Sequence, residues 1–131
     1  MLSITSFYAG LTALLFVVLS IKVIKLRGRA KVYMGNGQPD KHEPLERSVR
    51  VQGNCAEYAP LGLILLALVE LQSTPGFVVH ILGALLFLGR IAHAVGMGST
   101  PQIAQLRVGG MVMTFLMISL CGLGLIAHAV L

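Results

Sequence analysis

Apolar residues in this chain gather into four long runs instead of alternating with polar ones at a strand period. The runs are roughly Ile4–Val23, Cys55–Leu71, Phe77–Val95 and Val108–Leu131. A helix rising 1.5 Å per residue needs about 20 apolar residues to cross about 30 Å of hydrocarbon. Each run therefore predicts a membrane-spanning helix, the fourth most plainly because it contains no Asp, Glu, Lys or Arg. The pattern predicts helices over about 4–27, 45–73, 77–97 and 105–131, in one domain covering 1–131. The fold class expected is an all-α integral membrane protein, a four-helix bundle.

Polar positions punctuate these runs unevenly. The one sizeable polar segment, about residues 28–44, carries Gly35, Asn36, Gly37, Pro39 and Pro44 and reads as a loop. The other connections, Gln72–Gly76 and Gly96–Gln105, are short and predict tight antiparallel hairpins. Pro44 suits the first turn of the second helix, where a missing N–H costs nothing. Pro60 removes the helical hydrogen bond to the carbonyl of Ala56 and predicts a bend there. The first run has its positive charges after the apolar stretch and no evident small-residue cleavage site, so we read it as a retained helix.

Composition agrees with the pattern. Of 131 residues, 56% are hydrophobic and 11% charged, and the mean hydropathy is +0.84. A soluble domain this small carries about 25% charged residues, so lipid is the solvent that fits. Charge then orients the helices. Lys22, Lys25, Arg27, Arg29, Lys31, Lys41, Arg47 and Arg50 lie at or within the first connection. The second connection has no charge, and neither terminus carries a basic side chain. The positive-inside rule predicts cytoplasmic first and third connections and both termini on the opposite side. The net charge of +5 is thus a topological and lipid-facing signal, not a nucleic-acid footprint. Cys55 and Cys121 fall in spans at different depths and read as unpaired apolar fillers.

Candidate chemistry collects at one predicted membrane face. Arg27 ends the first helix; Arg50, Gln52, Asn54, Glu57 and Tyr58 begin the second; Arg90 and His93 end the third; Arg107 begins the fourth. Arg50, Asn54 and Glu57 share a helix face by their spacing of four and three, and Arg90, His93 and Met97 share another. Ionisable residues in membrane helices usually face the bundle interior or a water-filled cavity. The pattern predicts a polar pocket that favours anions. For several of these residues a plainer reading stands beside it. Glu57 can join helices through an ion pair with Arg90 or Arg50, and Arg27 and Arg107 can anchor to headgroups. His93 can be an interhelical hydrogen-bonder, and Tyr58 an interfacial belt residue. The opposite face receives only Glu70, His80 and His128, which read as isolated interface residues without partners.

Several arginines with one carboxylate suit a small zwitterion with excess negative charge, since arginine holds carboxylates bidentately. Glutathione has two carboxylates, one amino group and a thiol, but residue chemistry alone does not select it over other anionic metabolites. A resemblance does. ERSVRVQGNCAEYAP in the second helix, GRIAH in the third, AQLR opening the fourth and IKLR closing the first resemble the membrane-associated proteins in eicosanoid and glutathione metabolism (MAPEG). That family includes microsomal glutathione transferases, leukotriene C4 synthase and microsomal prostaglandin E synthase.

The resemblance implies a homotrimer of four-helix subunits, with glutathione between neighbouring subunits near the cytosolic face. It implies glutathione contacts from Arg50, Gln52, Asn54, Glu57 and Tyr58, with Arg27 added at the subunit boundary and Arg90 and His93 lining the site. It assigns thiolate stabilisation to Arg107. Two positions depart from relatives: Met97 stands where several have tyrosine, and Val108 where prostaglandin synthase-like members have serine.

The function expected is a membrane glutathione transferase, with glutathione as co-substrate and no metal. Its second substrate would be a small apolar electrophile or a lipid hydroperoxide arriving from membrane lipid. Two alternatives are a small multidrug-type transporter and a glutathione-binding protein without activity. Placement discriminates the first, since transporter sites sit near the bilayer midplane whereas Glu57 lies in the first turns of its span.

Overall fold

A computed structural model describes all residues from Met1 to Leu131. The chain is four antiparallel helices and no strand: α1 (Ser3–Ala30), α2 (Glu43–Leu71), α3 (Gly76–Gly98) and α4 (Ala104–Val130). All four are long and apolar enough to cross a membrane. With one loop at 31–42 and a short α3–α4 turn, one end of the bundle collects the basic residues and is called the basic end. The other, holding both termini and the α2–α3 turn, is the terminal end.

Local sequence accounts for the helix limits. α1 continues past its apolar run to Ala30 and stops at Lys31, whose left-handed φ of 55° returns its N–H to the carbonyl of Arg27. α2 starts with Pro44 in its first turn and runs unbroken through Pro60. The start of α1 has no cap of its own. Instead the Glu70 carboxylate accepts from Ile4 N–H at 3.0 Å and Thr5 N–H at 2.7 Å. A negative group at the positive end of a helix dipole, satisfying two orphan donors, joins α2 to α1. His80 is also partnered, its Nδ1 lying 3.2 Å from the Tyr8 hydroxyl. The reading of Glu70 and His80 as isolated is therefore corrected; their partners are about 65–72 residues away in sequence, beyond the reach of any local pattern.

α3 packs on α4 and α2, and α1 packs on α2 and α3, while α1 and α4 do not meet. The larger core cluster, towards the terminal end, contains Tyr8, Leu66, Val79, Leu86, Met117 and Cys121. A second, around Leu19, Val51, Cys55 and Ala59, joins α1 to α2 just beneath the basic end. Both cysteines are buried and unpaired. α3 and α4 approach closely because they meet through glycine: a Cβ on Gly110 would lie 2.4 Å from the Gly89 carbonyl oxygen and 2.5 Å from His93 N. Small residues at such crossings let helix backbones touch in lipid. Nearer the basic end, a Cβ on Gly96 would lie 2.3 Å from Arg107 N, so glycine here brings the start of α4 against the end of α3.

Candidate functional site: a two-arginine cavity at the basic end

The α2 sequence from Val49 to Glu57 places Val49, Arg50, Gly53, Asn54 and Glu57 along one stripe of helix surface. His93 and Met97 of α3 face the same space, and Arg107 enters from the first turn of α4. Together with Asn36 from the loop, these residues line a cavity of about 340 Å³. Three helices thus bring Arg50, Asn54, Glu57, His93 and Arg107 to one site, and the loop adds Asn36. A second polar space of about 430 Å³ shares Arg50, Met97 and Arg107 and is bounded by Asp40, Glu43 and Glu46.

Charge in the cavity is unneutralised. The only ion pair in the chain is Arg47 with Glu43 at 2.7 Å, outside it. Arg50 and Arg107 have no carboxylate partner; Arg107 donates one bond to Gln102 Oε1 at 3.0 Å. Glu57 pairs with neither Arg50 nor Arg90, so the helix-joining role open to it in sequence is not the one it plays. Two exposed arginines and one exposed glutamate around a concave space leave a net positive site with one negative group. That combination can hold a small molecule carrying carboxylates and an ammonium.

The remaining predicted residues stand outside this cavity. Arg90 is 2% exposed and lies behind the cavity wall. It donates through Nε to Thr114 Oγ1 at 3.1 Å, and through Nη2 to Thr114 Oγ1 at 2.9 Å and Met111 Sδ at 3.2 Å. Its Nη1 donates to Asn54 Oδ1 and faces the Asn54 carbonyl at 3.5 Å, and its guanidinium sits 5.6 Å from the centre of the Tyr58 ring. A buried cation without a counter-ion needs such dipoles and π-density around it. Within one chain, Arg90 fixes the orientation of Asn54, which does line the cavity. Tyr58 packs edge-on against Phe115 of α4. Gln52 points to α1, with Nε2 3.5 Å from Ser20 Oγ. Arg27 turns to the loop, where Nη1 donates to the carbonyls of Val32 at 3.2 Å and Gly35 at 2.8 Å.

Sequence reasoning missed Asn36. It lies in a segment without periodicity, so nothing local distinguishes it from its polar neighbours; only the folded loop brings it to the cavity.

Comparison with known proteins identifies the kind of chain that carries this cavity. The model of the MAPEG family matches residues 5–128. Inner membrane protein YecN of Escherichia coli strain K12 is 33% identical over 93 residues, covering 71% of this chain and 69% of that protein. The protein of the same name from Escherichia coli O6:H1 matches to the same extent.

Proposed function

The chain belongs to the MAPEG family of membrane-associated proteins in eicosanoid and glutathione metabolism, and from that premise we propose that it is a membrane-bound glutathione transferase. The observation that carries the proposal is the cavity at the basic end, where Arg50 and Arg107 stand without carboxylate partners beside Asn54, Glu57 and His93. Glutathione carboxylates pair with arginine, its α-ammonium with Glu57, and its peptide groups with Asn54. Arg107 lies beside the sulfur. A free thiol of this kind titrates near about 8.5, so at neutral pH most of it is unreactive. A guanidinium at contact distance favours the thiolate, which is the nucleophile.

Chemistry then follows from the thiolate. The thiol proton leaves to water, and the sulfur attacks an electrophilic carbon, forming an S–C bond as the electrophile's leaving group departs or its double bond accepts the electrons. With a lipid hydroperoxide, the same thiolate attacks oxygen and the O–O bond breaks. An alcohol and a glutathione sulfenic acid form, and a second glutathione converts the latter to disulfide and water. The apolar partner arrives from the bilayer, and the positive-inside distribution of charge supports a cytoplasmic basic end. Gln52 lies outside its own chain's cavity, where a contribution to a neighbouring subunit's site in a homotrimer would leave it.

The experiment is titration calorimetry of detergent-purified protein with glutathione, followed by turnover with an electrophile panel and a fatty-acid hydroperoxide. Binding with turnover is expected. Binding without turnover on any substrate would reduce the function to glutathione binding alone, and absence of binding would overturn the proposal.

A further inference from the structure

The loop that follows α1 is held in place by a residue the family resemblance assigns to ligand contact. Arg27 terminates α1 in two ways. Its carbonyl accepts from Lys31 N–H and, at 3.2 Å, from Val32 N–H. Its side chain reaches forward to the carbonyls of Val32 and Gly35. Gly35 has φ of 73° and Gly37 of 74°, values that residues with a Cβ adopt only with strain. Between them stands Asn36, which lines the two-arginine cavity. The far side of the loop is fixed by Gln38, whose N–H donates to His42 Nδ1 at 2.9 Å, while His42 N–H donates back to the Gln38 carbonyl at 2.7 Å. Arg27 thus anchors one side of a short strap, His42 the other, and Asn36 is the residue the strap presents to the site.

We propose that Asn36 is a ligand-binding residue of this cavity and that Arg27 acts on the ligand as a positioning residue, through the strap, within its own chain. The inference rests on the glutathione reading above and extends it. Asparagine offers both a carbonyl acceptor and two N–H donors, which suits the peptide groups or a carboxylate of an extended polar ligand already held by Arg50 and Arg107. No other cavity residue approaches from the loop side.

A double-mutant cycle on glutathione affinity, measured by calorimetry, separates this from direct contact by Arg27. Asn36→Ala and Arg27→Ala should each weaken binding roughly tenfold, the loss of one hydrogen bond to a charged or polar ligand group. The double variant should bind no more weakly than Arg27→Ala alone, because the second change removes what the first has already misplaced. Gly35→Ala strains the strap without adding a clash, since no atom lies within 4 Å of its Cβ position, and should reproduce Asn36→Ala. Unchanged affinity in Asn36→Ala, or losses that multiply in the double variant, would overturn the inference while leaving the glutathione reading intact. Failure of the wild type to bind glutathione would overturn that reading and the assignment of Asn36 with it. The strap itself is checked without ligand by hydrogen exchange. Arg27→Ala should speed exchange of the Gln38, Lys41 and His42 amides and leave residues 51–69 unchanged; equal exchange in both proteins would sink the anchoring role.

Discussion

At the scale of single residues, what a side chain does here depends on which of its polar groups are already satisfied. Arg90 and Arg107 look alike in sequence, each a basic residue near the same end of a span. Arg90 is buried, with donors directed to Thr114, Met111 and Asn54; Arg107 is exposed to the cavity with one bond to Gln102. The first holds the wall and the second faces the open cavity. Thr114 is fully buried, and its hydroxyl accepts two guanidinium N–H groups while donating to the Gly110 carbonyl at 2.9 Å. Thr114→Val keeps the shape and leaves those donors unsatisfied, so denaturant unfolding in micelles should show a loss of about 1–3 kcal/mol. Thr114→Ser should recover most of it, and a valine variant as stable as wild type would contradict the assignment. Glu70→Gln, which removes the charge at the start of α1, should speed amide exchange at Ile4 and Thr5 by a few-fold. Unchanged exchange would mean the helix end is satisfied without it. The role of Glu70 could not be read in sequence, because the groups it serves are backbone amides on another helix.

At the scale of elements, the four spans were legible because lipid imposes length and apolarity on each helix separately. The convergence of Arg50, Asn54, Glu57, His93 and Arg107 was legible for a related reason. Antiparallel spans return alternate helix ends to one face, so sequence position translates into depth. Depth is not facing, however. Arg90 and His93 share a stripe of α3 by spacing, yet only His93 lines the cavity, because the crossing with α4 at Gly89 and Gly110 turns Arg90 behind the wall. That crossing is itself testable. Gly110→Ala should lower stability by about 1–3 kcal/mol through overpacking and weaken glutathione binding by displacing His93. Gly109→Ala, with no atom near its Cβ position, should be neutral or slightly stabilising. Equal behaviour of the two variants would contradict the glycine-mediated contact.

At the scale of the whole molecule, one chain leaves large apolar surfaces uncovered. Phe7, Leu14, Val18 and Ile24 on α1 and Val112, Phe115, Leu123 and Ile126 on α4 are exposed, and the two helices do not touch. Lipid covers such faces without cost, and neighbouring subunits can share them, so periodicity is silent on oligomeric state. The proposed homotrimer should appear as a threefold mass by light scattering in mild detergent, with detergent-bound mass subtracted; a monomer that binds glutathione fully would contradict it. The central claim concerns the sulfur. Stopped-flow ultraviolet absorbance of thiolate, recorded when glutathione is mixed with purified protein at neutral pH, tests it most directly. Wild type should generate thiolate, with the titration moved below that of free glutathione, and Arg107→Ala should lose the signal and regain it only at higher pH. Equal thiolate signals from the two proteins would contradict the account.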